Sequence, residues 1–153
     1  MTSEIDHQQL LRDFGESINR QDWDHLAEIF QADAVLEYPQ SGERFRGLQN
    51  IRAQFENYPQ MDPGNSVLQE VIGGTTYVLT PSYTVIGVEG SGERGVAIIR
   101  VRYPDRSLWW VINLYELREG RIARSRAFFA PDFDAPDWRE SFRELVQRPS
   151  AEA

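Results

Sequence analysis

Cysteine and lysine are both absent, and only His7 and His25 carry an imidazole. Without cysteine there are no disulfides and no thiolate-held metals, which suits a reducing cytoplasm, the expected location. Two histidines at a separation that matches no ligand motif argue against a metal, and neither a metal nor a cofactor is expected. The first residues are polar and acidic, unlike a secretory leader, and no apolar run is long enough to span a bilayer. With lysine missing, every cation is an arginine, and the formal charge is −8. Nucleic acids and anionic membranes are drawn to clustered positive charge, so neither is an expected partner. Arg44, Arg46, Arg124 and Arg126 are the basic groups singled out, and they read either as a local anion contact or as solvated charges on edge strands.

What is present has two hydrophobic periods in succession. Ser3 can cap a first helix in which Leu10, Leu11, Phe14 and Ile18 recur every three to four residues. Asp22 can cap a second that carries Trp23, Leu26, Ile29 and Phe30. A strand from Ala34 to Tyr38, a turn at Gly42 and a short partner around Arg44-Phe45-Arg46 precede a third helix with Leu48, Ile51, Phe55 and Tyr58, stopped by Pro59. The period then falls to two. Val67–Ile72, Tyr83–Val88, Val96–Tyr103, Leu108–Leu117 and Ile122–Phe129 are separated by short turn signals, so successive strands should be antiparallel neighbours. After Pro136, the residues Trp138, Phe142, Leu145 and Val146 continue at helical spacing to Pro149. The expected organisation is one α+β domain over residues 1–148 and a tail over 149–153.

This element order resembles the nuclear transport factor 2-like superfamily, and its wording is similar to that of SnoaL-like bacterial proteins. The carriers are Arg20-Gln21-Asp22-Trp23-Asp24 leading to Ile29-Phe30-Gln31-Ala32-Asp33-Ala34, then Ser41-Gly42-Glu43-Arg44-Phe45-Arg46-Gly47, Tyr115-Glu116-Leu117-Arg118-Glu119-Gly120-Arg121-Ile122, and the stretch from Phe128 to Arg139. The resemblance covers roughly the whole chain. It implies a cone: a curved antiparallel sheet wrapped around the N-terminal helices, with a short C-terminal helix. It implies no single activity, because this architecture hosts isomerases, dehydratases, epoxide hydrolases, cyclases and binding modules.

Set against the ketosteroid isomerases, whose carboxylate base works with a tyrosine and a protonated aspartate, the resemblance places the oxyanion tyrosine on Phe14, the base on Tyr38 and the second donor on Asn113. A phenylalanine has no hydroxyl, and a phenol is a poor base at neutral pH. The last strand also lacks the carboxylate that epoxide hydrolases and SnoaL cyclases would use there, and Asp132 and Asp134 beyond it read as loop acids. Alternation puts Trp109, Val111, Asn113, Tyr115 and Leu117 on one face of their strand. With Ser125, Ala127 and Phe129 and the helix residues Phe14, Trp23 and Tyr58, these would line a mostly aromatic pocket. The candidate pocket residues are Phe14, Trp23, Tyr38, Tyr58, Trp109, Asn113, Tyr115 and Phe129, with Asn113 hydrogen-bonded to Tyr38, water or ligand.

Two readings fit these residues. One is an enzyme of isomerase, dehydratase or cyclase type acting on a small apolar or polycyclic molecule, with Tyr38, Asn113 and His25 near the reacting atoms. The other is a noncatalytic ligand-binding or dimerisation module. The opposite face of the same strand carries Trp110, Ile112 and Leu114, which need a second cover. A homodimer through the convex sheet face is expected, with the C-terminal helix as the alternative cover.

Overall fold

A computed structural model describes residues 5–58, 82–103 and 107–148. Ser3, the Val67–Ile72 segment, the turn at Pro104-Asp105 and the tail beyond Pro149 lie outside them.

The first helix, α1 (His7–Arg20), starts at Asp6, whose carboxylate accepts the Gln9 N–H at 3.0 Å. Gln21 ends it in the left-handed conformation, φ 56°. Leu11, Phe14 and Ile18 are buried, as their spacing requires. The Asp22 carboxylate accepts from the His25 N–H and opens a 3-10 turn, Trp23–His25, which runs into the short α2 (Leu26–Ile29).

Strand β1 (Phe30–Tyr38) turns through Gly42 into β2 (Glu43–Arg46), and α3 (Leu48–Glu56) follows. The meander consists of β3 (Ser82–Ser91), β4 (Arg94–Arg102), β5 (Leu108–Arg118) and β6 (Arg121–Pro131), each antiparallel to the next. The six strands make one sheet in the order β2-β1-β6-β5-β4-β3. β1 runs parallel to β6, and this pairing joins the first hairpin to the end of the meander. The sheet is curved and open, and the helices pack on its concave face, which gives the α+β cone.

Alternation separates the two faces. Gly95, Ala97, Ile99 and Val101 of β4 are buried with Val111, Asn113, Tyr115 and Leu117 of β5 and Ile122, Ser125 and Ala127 of β6. These meet Leu11, Phe14, Ile18, Leu26, Ile29 and Ile51 from the helices in one apolar core.

The convex face has cover at one end. Arg100 of β4 is 0 % exposed there, with its guanidinium 4.4 Å above the Trp110 ring and held by both oxygens of Asp132 at 2.7 and 2.9 Å. Val96, Ile98, Ile112 and Phe128 on the same face stay open to solvent, Ile112 at 42 %.

Beyond β6 the short C-terminal helix is a 3-10 helix, Asp137–Phe142, which ends at an extended Arg143 and so stops short of Leu145 and Val146. Trp138, Phe142, Leu145 and Val146 are 73 to 86 % exposed. Their helical spacing predicts a buried face, but among the described residues nothing covers them. Among the described residues, no helix is long and apolar enough to cross a membrane.

Candidate functional site

Along the concave face of β5, successive inward residues enter three different environments. Trp109, at one end, donates its indole N–H to the Ser107 hydroxyl at 2.9 Å and meets the edge of Tyr103, which stacks on Tyr58. Tyr115, at the other end, donates its hydroxyl to Nδ1 of His7 at 2.8 Å, while Nε2 of His7 donates to the Gly92 carbonyl at 3.0 Å. The carbonyl can only accept, so the Nε2 proton is fixed and Nδ1 is left to accept. Burial pushes the Tyr115 phenol up to about 12.

That contact depends on two glycines facing each other across β3 and β4, Gly90 and Gly95. A Cβ on Gly95 would stand 2.2 Å from the Tyr115 oxygen, and one on Gly90 would stand 2.6 Å from the His7 ring. The bare backbone forms the slot into which the phenol and imidazole fit.

Between these ends lies a cavity of about 20 Å³, lined by Phe14, Phe30, Leu36, Tyr38, Phe55, Val111, Asn113, Ile122, Ser125, Ala127 and Phe129. That is room for about one water molecule. The Ser125 hydroxyl donates to Oδ1 of Asn113 at 2.9 Å, so the buried amide finds its partner on β6 rather than in Tyr38. With its oxygen engaged, the amide presents its nitrogen as the group left to donate. Tyr38 is wedged edge-on between Phe45 and Phe129, and its hydroxyl donates to Oε1 of Gln54 at 3.0 Å. Burial raises its phenol far above the ordinary value, so it remains protonated at neutral pH. The Nε2 of Gln54 is buried without a partner.

The cavity thus brings together Phe14, Tyr38, Asn113 and Phe129 of the candidate residues. Trp23 packs against the core, Tyr58 and Trp109 belong to the cluster around Tyr103, and Tyr115 belongs to the His7 slot. His25 is on the surface, 3.4 Å from Glu28. Sequence reasoning missed Gln54 as the partner of Tyr38, although its place one turn from Tyr58 on the third helix was a usable signal. It also missed His7, which only the facing glycines reveal.

Among the described residues, the cavity lining includes no carboxylate and no imidazole. Asp132, the loop acid nearest the last strand, is committed to Arg100 on the far side of the sheet, and that hydrogen bond holds its carboxyl below the ordinary value. The arginines near β1 and β6 are partly spent as well. Arg124 and Arg44 both pair with Glu37, whose carboxyl is lowered chiefly by the Arg124 bond.

Residues 11–125 match the SnoaL-like domain. The chain belongs to that family. Among solved structures, this SnoaL-like chain is similar to a nuclear transport factor 2-like protein from Burkholderia xenovorans, at 23 % identity and TM-score 0.71 over 92 % of this chain and 94 % of the other. A ketosteroid-isomerase-like protein from Kribbella flavida shares 20 % identity and a TM-score of 0.70, with 94 % of each chain covered. A SnoaL-like polyketide cyclase-type protein from Shewanella denitrificans shares 12 % identity and a TM-score of 0.57 over 80 % of this chain and 89 % of that one. At these identities the likeness is one of fold. No curated protein matches the chain.

Proposed function

We propose that this SnoaL-like chain binds a small apolar molecule with one hydrogen-bond acceptor, held in the cavity between α1, α3, β5 and β6. The carrying observation is the lining itself: aromatic walls around a single inward amide whose oxygen is already engaged by Ser125, so that its nitrogen is the group presented. Such a site can polarise a carbonyl but cannot take its α-proton. The isomerase route through a carboxylate base therefore finds no support here, and the reading favours binding over proton transfer. Entry requires the surrounding rings to turn aside, because the cavity is about the size of one water. A cysteine-free chain suits the cytoplasm as the place where it works.

Calorimetry with aromatic ketones and their matching hydrocarbons tests this. The ketone should bind up to about tenfold more tightly, the worth of one neutral hydrogen bond, and Asn113→Leu should remove the difference. Deuterium exchange next to the ketone carbonyl should stay at the uncatalysed rate. Equal affinity for the two series, or exchange accelerated by the protein, would overturn the proposal.

The smallness of the cavity favours one alternative. If neither series binds, the concave face is a packed core and the module serves for pairing.

A further inference from the structure

The stretch between Asp132 and Arg148 leaves the sheet and returns to its own root. Asp132 is gripped by Arg100, and Arg148 comes back to 3.6 Å from Asp132 and 3.8 Å from Asp134. Within the loop, Arg143 donates to the Pro136 carbonyl at 2.7 Å and Arg139 lies over its neighbour Trp138. A loop tied at both ends and braced inside would be expected to turn its large apolar side chains inward. This one turns Phe133, Trp138, Phe142, Leu145 and Val146 outward, each at least 73 % exposed.

Its charges are also unmatched. Asp137, Glu140 and Glu144 form no ion pair with any described residue of the chain. The convex sheet face has the opposite deficit. Ile98, Ile112 and Phe128 stand side by side across β4, β5 and β6, exposed, with Val96 and Leu114 in the next row. An open groove beside that row is lined by Arg94, Arg124 and Arg126 with one acid, Glu116, between Arg94 and Arg124 in the sheet, and Arg94 and Arg126 form no ion pair among the described residues.

One surface is thus apolar and, even with Arg139 and Arg143, net acidic, the other apolar and net basic, and among the described residues neither covers the other. We propose that the segment 133–147 of one copy docks on the convex face of a second copy, and the reverse, so that two exchanged arms close a twofold dimer. Phe142, Leu145 and Val146 then cover the Ile98-Ile112-Phe128 row, and Glu140 and Glu144 approach Arg94 and Arg126. Both apolar surfaces and both sets of unpaired charge are satisfied by one symmetry operation. The inference goes beyond the cavity reading and does not depend on it, since it uses the other face of the sheet.

The absence of cysteine allows a direct test. Chains carrying Phe142→Cys and Ile112→Cys are prepared with different tags, mixed, and oxidised gently. The expected product is a disulfide between the two kinds of chain, in excess over either self-linked pair. Sedimentation equilibrium of the unmodified protein should show a dimer, and Trp138→Ala with Phe142→Ala should weaken it by about tenfold or more with unchanged circular dichroism. Arg126→Glu should weaken it further at low salt than at high salt. A monomer at micromolar concentration would overturn the proposal. So would a Phe142→Cys, Ile112→Cys double variant that closes within one chain. A dimer that self-links only through Ile112→Cys and ignores the Trp138 and Phe142 substitutions would overturn the arm and leave direct sheet-to-sheet contact.

Discussion

At Gly95 the chain has no freedom to change, although nothing about the backbone there is unusual. The constraint is the end of the Tyr115 ring, whose oxygen a Cβ would meet at 2.2 Å and whose Cζ at 2.3 Å. Gly95→Ala is expected to displace the phenol, break its bond to His7 and destabilise the protein by roughly 1–3 kcal/mol, an overpacking penalty measurable by urea denaturation. Tyr115→Phe in the same background should recover little, because the ring carbon Cζ that phenylalanine keeps would still stand 2.3 Å from the added methyl group. A Gly95→Ala protein as stable as the parent would mean that the slot is looser than described. In the sequence, Gly90-Ser91-Gly92 reads as turn punctuation, and nothing marks Gly95. Only Gly92, with φ 60°, occupies the turn. The slot depends on which residues face each other across two strand pairs, and local composition does not carry that register. Asn113 was easier to place. Parity along β5 put it inside, and it is inside, but its partner came from β6, where Ser125 had been assigned the same face without being matched to it.

Strands and helices were legible where one face is buried against a partner in the same chain. The α1 stripe and the alternation in β4, β5 and β6 are each forced by core packing, and each is seen. The C-terminal helix is present but shorter than its spacing predicts, a 3-10 turn that ends at Phe142, and among the described residues nothing covers its apolar side chains. Its attachment can be tested separately. Arg100 is wholly buried and both of its guanidinium nitrogens donate to Asp132, so loss of the Asp132 charge should weaken its hold and destabilise the protein at neutral pH. Because the Asp132 carboxyl is held below its ordinary 3.8, this contribution is complete above that value and disappears as pH falls through the lower folded value. Thermal unfolding of parent and Asp132→Asn should therefore differ most near neutrality and converge in acid. A gap that stays constant down to the lowest pH at which both fold would show that the carboxylate charge is not what holds Arg100.

For the molecule as a whole, the strand order has a consequence in time. β1 is among the first elements in the chain, yet its only neighbours are the short β2 and β6, one of the last. The Phe30 to Ile122 and Leu36 to Ser125 pairings join residues separated by most of the sequence. Closing so large a loop costs entropy before any contact returns it, and such pairings form late and slowly. During synthesis, the first helices and the β1-β2 hairpin must emerge and wait, with Phe30 and Leu36 unburied, until β6 arrives to complete their side of the core. In refolding experiments, hydrogen exchange should show the β3-β4-β5 amides protected before those of β1. The N-terminal third of this protein would then be its most vulnerable part while it is being made, and a chaperone that recognises nascent apolar segments would meet it there first.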